Sequence, residues 1–192
     1  MEHQDDDESA SAARDLALTA RGDRAAFERF FRHHERLVYS FAFRITGEAD
    51  VARDVTNDVM LEVWRKAGTF AGRSKASTWV LGIAHHKAVD RMRVRRSPFA
   101  GLHAVPDPVA PADDDPQARA IDACTRAEIE AAMAGLSAEH RAVVHLAFVV
   151  GHGQQEIATI TSVPLGTVKT RLFYAKRALR RALAAVPQRE IS

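Results

Sequence analysis

Cysteine is almost missing from this 192-residue chain: Cys124 stands alone, so no intramolecular disulfide is available and a disulfide scaffold is excluded. Long apolar runs are missing too, since no stretch approaches the roughly 20 consecutive apolar residues a bilayer span requires. The opening residues include Glu2, Asp5, Asp6, Asp7 and Glu8, the reverse of a basic, apolar export signal. These absences lead us to expect a soluble cytoplasmic protein with no membrane insertion. No glycine-rich phosphate loop and no nucleophile motif stands out, so nothing points to covalent chemistry or to a cofactor. A surplus of one charge is lacking as well: 27 Lys plus Arg face 25 Asp plus Glu, a net of +2. That sum hides a strong sorting of charge along the chain.

From Met1 to Asp15 six acids face one base, and from Ser97 to Asp122 five acids face one base. Between Lys87 and Arg96 five bases face one acid, and from Lys169 to Arg181 there are six bases with no acid. Two basic segments separated by acidic ones suggest two contacts with a polyanion.

Five of the seven prolines fall between Ser97 and Pro116, with no apolar period, so this stretch reads as a Pro/Asp-rich extended linker. The rest is rich in Ala, Leu, Arg and Glu and lacks alternating β-branched runs, which predicts an all-α protein. The expected organisation is an acidic disordered tail (1–14), a helical domain (15–97), a flexible linker (98–120), a second small helical domain (121–186) and a short tail (187–192). In the first domain Asp23 caps a helix that Gly47 ends; a second helix runs over 49–66 and a third over 77–96. The loop over 67–76 separates the last two.

The 49–66 helix sets Asp50, Asp54, Asp58 and Glu62 four residues apart, with Val51, Val55, Val59 and Val63 behind them. Like charges at that spacing cost a helix about 0.2–0.5 kcal/mol per pair, a row that becomes favourable only against a basic partner. In the second domain, Ser137 caps a helix that Gly151 terminates. A short helix over 154–160, a break at Thr161–Pro164 and a longer helix from Leu165 follow. Leu165, Val168, Leu172, Ala175, Leu179 and Leu183 line its buried face, while Thr167, Lys169, Thr170, Arg171, Tyr174, Lys176 and Arg177 face outward. Short helix, tight turn and basic second helix make a helix-turn-helix fitted to a major groove.

Taken together, the segments 52–64, 77–93 and 156–172 resemble those of bacterial sigma factors of the sigma-70 family, in the short extracytoplasmic-function type with two domains. The resemblance implies a transcription initiation factor, not an enzyme, that directs core RNA polymerase to promoters. It implies that Asp54, Asn57, Asp58, Glu62 and Trp64 meet the polymerase, chiefly its β′ subunit beside β. Phe70, Arg73, Ser74, Lys75, Trp79, His86, Lys87, Arg91, Arg93, Arg95 and Arg96 would then recognise and melt the −10 element, with a base flipped into the 68–76 loop. Thr167, Lys169, Thr170, Arg171, Tyr174 and Arg177 would read or position the −35 element. An anti-sigma factor is the further partner implied, with a monomer as the free state, no metal and no cofactor. Three positions depart from the family pattern: His86, after His85, stands where Asn is usual; Ser162 replaces the usual turn glycine; and Gln154 replaces a common aromatic. Ser162 implies either a left-handed residue or a reshaped turn. Two rivals are a metal site built on His86 and Asp90, for which a third ligand is not apparent, and a helix-turn-helix repressor whose first unit senses or dimerises.

Overall fold

The computed structural model describes residues 2–95 and 129–184, and every regular element among them is helical. The linker 98–120, the tail 187–192, Cys124 and the side chains of Arg95, Arg96 and Leu183 lie outside the described residues.

The first helix, α1 (Glu2–Thr19), overturns the expectation of a disordered acidic tail. Its composition is poorly suited to bury a face, but Leu16 and Ala12 are buried in the core. The acids also find partners: Asp15 receives the Arg29 guanidinium at 2.6 Å and Glu8 meets the His33 imidazole. Tertiary contacts therefore decide α1, as they commonly do for helices whose own propensity is marginal.

α2 (Arg24–Thr46) begins where expected, with the Asp23 carboxylate accepting from the Ala26 amide at 3.0 Å. It ends at Gly47, whose φ of 77° is the left-handed conformation a side chain resists. α3 (Ala49–Lys66) buries Ala52, Val55, Thr56, Val59, Met60 and Val63, and a single tight turn (Ala67–Thr69) follows it. α4 (Ala76–Arg95) is not simply amphipathic. Ala76, Val80, Leu81, Ala84, Ala88 and Val89 are all buried, because α2 and α3 cover one side and the second unit covers another. A helix enclosed on several sides carries small and apolar residues around much of its girth.

In the second unit, a helical segment over 129–134 is α5, and α6 (Ala138–His145) is capped by Ser137, whose hydroxyl accepts from the His140 amide. α6 widens into a π-type turn over Leu146–Val150 before Gly151 stops it. α7 (Gln154–Thr161) and α8 (Leu165–Ala184) form the helix-turn-helix. Ser162 between them lies at φ 54°, ψ 40°, so the turn keeps its ordinary shape with a left-handed serine in place of glycine.

The two units do not sit apart. One apolar cluster runs from Phe30, Phe41 and Ile45 of α2 through Val59 and Leu81 to Val143, Leu146, Ile157, Ile160 and Leu172 of the second unit. The buried Arg141 of α6 donates to the Ile45 carbonyl of α2 at 2.5 Å. α7 packs against α4, with the Ile160 carbonyl beside Gly82.

Candidate nucleic-acid and protein interfaces

The valines of α3 hold the helix down and turn its acidic row to the edge of the first unit. Asp54 and Asn57 are exposed at the middle of that row. Asp50 is tied to Arg53 at 2.8 Å, one turn away. Asp58 and Glu62 face α4 and meet its basic row: Arg91 lies 2.9 Å from Asp58, and Lys87 lies 3.6 Å from Glu62, which also receives Lys66 at 2.6 Å. The Lys66 hydrogen bond, with Lys87 adding its charge, holds the Glu62 carboxyl below its ordinary value. Trp64 is half-buried edge-on against Phe27, with ring centroids 5.2 Å apart, which fixes the end of α3 to α2.

The loop between α3 and α4 places Phe70 against Trp79 at 5.5 Å, both half-buried. Arg73 and Lys75 project into solvent and Ser74 is half-buried, while Gly72 turns the loop with a φ of 65°. The aromatic pair is a ready platform for a base, and the two cations beside it suit a phosphate. Along α4, His86 is exposed and its Nε2 lies 3.2 Å from the Ser162 hydroxyl of the helix-turn-helix. It does not face Asp90, which is 3.7 Å from Arg93. Each of the two side chains of the rival metal reading thus has another partner. Among the described residues no three His, Cys, Asp or Glu side chains are grouped to hold a metal ion.

On α8, Val168, Leu172 and Ala175 are buried, which turns Lys169, Thr170, Tyr174 and Arg177 outward and leaves Thr167 and Arg171 half-buried. The Thr170 hydroxyl donates to the Gly166 carbonyl at 2.9 Å. The turn that positions this helix is braced by Glu156, which accepts from the Gly153 amide at 3.1 Å and lies 3.3 Å from His152. None of the cations on α8 makes an ion pair among the described residues; Lys176 instead lies over the Phe148 ring at 4.9 Å.

Several features of this surface had no counterpart in the sequence reading. The exposed Phe148, Val149 and Phe173 form an apolar edge beside the basic face of α8. His85 and His145 are buried in the joint between the units. The Asp58–Arg91 and Glu62–Lys87 pairs link rows read separately. Matching four-residue spacing in the two rows was their only trace in the sequence.

Comparisons with known proteins accord with this geometry. Residues 30–97 match the family model for Sigma-70 region 2, and residues 126–186 match that for Sigma-70 region 4. The chain is 31% identical over 165 residues to the ECF RNA polymerase sigma factor SigL of Mycobacterium tuberculosis, covering 85% of this chain and 92% of that one. It is 31% identical over 177 residues to the ECF sigma factor SigK of Mycobacterium ulcerans, covering 88% and 92%. Its fold is similar to that of the sigma factor RpoE of Bartonella quintana, solved with the anti-sigma factor NepR, at a TM-score of 0.65 and 22% identity over 83% of this chain and 98% of that one. CnrH, solved with the cytosolic domain of CnrY, gives a TM-score of 0.65 at 21% identity over 92% and 99%.

Proposed function

We infer how this chain works from a plain premise: it belongs to the sigma-70 family of RNA polymerase sigma factors, in the ECF group, and directs promoter-specific initiation of transcription. The division of labour among its residues is our reading. Residues 15–97 form the unit that grips polymerase and opens the −10 element, 98–120 the linker, and 121–186 the unit that reads −35. The open acidic edge at Asp54 and Asn57, continued by Asp58 and Glu62, meets a basic surface of β′. Trp64 serves this contact by fixing α3 through Phe27.

The 68–76 loop takes a flipped base, with Phe70 and Trp79 as the stacking pair, Arg73 and Lys75 on phosphate and Ser74 lining the turn. His86, Lys87, Arg91, Arg93 and Arg95 of α4, with Arg96 next in the sequence, carry the strand. Thr167, Lys169, Thr170, Arg171, Tyr174 and Arg177 dock α8 in the −35 major groove, mostly through phosphates. The chain performs no covalent chemistry itself and works in the cytoplasm as a monomer until it joins the core enzyme. An anti-sigma factor is its fitting partner, of the kind with which the fold-similar RpoE was solved.

The observation that carries this reading is the polarity of the surface, with a carboxylate edge on α3 and unpaired cations on α8 set on opposite units. Transcription in vitro with purified core enzyme tests it. Promoter-dependent transcript and co-migration with core are expected. Binding to DNA without core, with no transcript, would instead indicate a repressor.

A further inference from the structure

Two of the three positions at which this chain departs from its family pattern touch one another: His86 of α4 and Ser162 of the helix-turn-helix turn share a hydrogen bond of 3.2 Å across the joint between the units. Ser162 occupies a left-handed conformation that glycine adopts without cost, so its side chain is retained against local strain. One residue away, His85 is buried at the same joint. Its ring centroid lies 6.5 Å from that of Phe41, and the ring of His145 from α6 lies 5.8 Å from the same phenyl ring. Phe41 is completely buried, and the three rings, tilted by about 40° to one another across each contact, cluster where α4, α2 and α6 meet, two elements of one unit and one of the other. Neither His85 Nδ1 nor His145 Nδ1 has a hydrogen-bond partner among the described residues. A buried imidazole with an unpartnered nitrogen tolerates the neutral form and not the cation.

We propose that His85 and His145, packed against Phe41 and flanked by the Ser162–His86 contact, are a proton-operated latch that holds the two units closed and separates them on acidification. The consequence rests on the reading of α4 and α8 as the −10 and −35 readers. With Ser162 against His86, the two readers are adjacent. Two promoter elements more than two helical turns apart are separated by roughly 70–90 Å of duplex, so the closed form cannot engage both.

The direction follows from the surroundings. Burial, then the nearby charge of His86, holds the His85 imidazole down to about 4; Arg171 of α8 and Arg93 of α4 push the same way and Glu139 of α6 opposes them. Burial, then Arg44 of α2, holds His145 down to about 4. Released to water, each returns to an ordinary value near 6.5. The closed form thus has its full advantage above about pH 6.5 and loses it as pH falls toward 4. Between pH 7.5 and 5 the closed-to-open ratio should fall on the order of tenfold for each histidine.

Small-angle scattering of the full chain from pH 7.5 to 5, with far-UV circular dichroism in parallel, tests this. We expect the radius of gyration to rise with helicity retained, His85→Leu with His145→Leu to abolish the rise, and Ser162→Gly to move it to higher pH. Unchanged dimensions with helicity intact, or a double variant that opens as the wild type does, would overturn it. If the double variant loses its helicity, the imidazole resonances of the wild-type chain decide. Titration of both histidines well below 6 in step with the expansion supports the latch, and titration near 6.5 overturns it. The measurement needs neither polymerase nor promoter, so its failure and the failure of the functional reading are separately visible.

Discussion

The basic row of α4 and the basic face of α8 carry similar side chains in opposite electrostatic situations. On α4, Arg91 and Lys87 are matched by Asp58 and Glu62 from the neighbouring helix, and Arg93 by Asp90. On α8, Lys169, Arg171, Arg177, Arg180 and Arg181 have no acidic partner at ion-pair distance among the described residues. A cation that already holds a carboxylate must give it up before holding a phosphate, whereas a bare one exchanges only counterions. Phosphate binding by the first surface would therefore depend on what occupies α3, and binding by the second carries no such condition. On the proposed reading, a polymerase surface that took Asp58 and Glu62 would release Arg91 and Lys87 toward DNA.

The sharpest way to break this contrast is to reverse the acidic edge. Asp54→Arg combined with Asp58→Arg should weaken binding to core polymerase at least about tenfold, because like charges brought together across an interface cost several kcal/mol. Thermal unfolding should change little, since Asp54 is exposed and Asp58 only partly covered. Core affinity unaltered in a fluorescence titration would remove α3 from the polymerase contact. On the other surface, Lys169→Ala with Arg171→Ala should reduce −35-dependent transcription and lower the slope of log affinity against log salt by about two. An unchanged slope would mean that these cations touch no phosphate.

The smallest expected effect is the one most specific to the comparison. Asp58→Asn with Glu62→Gln keeps the shape of α3 and frees the α4 cations, so affinity for single-stranded DNA in the absence of polymerase should rise a few-fold. Exposed pairs of this kind are worth only about 0.2–1 kcal/mol each. Equal affinities at low salt would show that the α3–α4 pairs do not restrain the DNA face.

Much of this could be read from the chain alone. The Asp23 and Ser137 caps, the Gly47 and Gly151 stops and the bounds of α3 lie where residue type and spacing place them. Each depends on hydrogen bonds within a few residues, which the local sequence contains. α1 was not legible, because its acids look solvated until Arg29 and His33 of α2 are seen beside them. Phe70 and Trp79 were legible as aromatics near a loop, but not as a pair touching each other.

Outside α1, the sequence by itself determined the helices, most of their ends and the sorting of charge into rows, since capping and periodicity act over one or two turns of chain. Which row neutralises which, the burial of His85 and His145 about Phe41, and the closure of α7 on α4 were decided only by the tertiary structure. Those properties depend on distances between elements far apart in sequence, where desolvation and pairing are set by neighbours that no local pattern names.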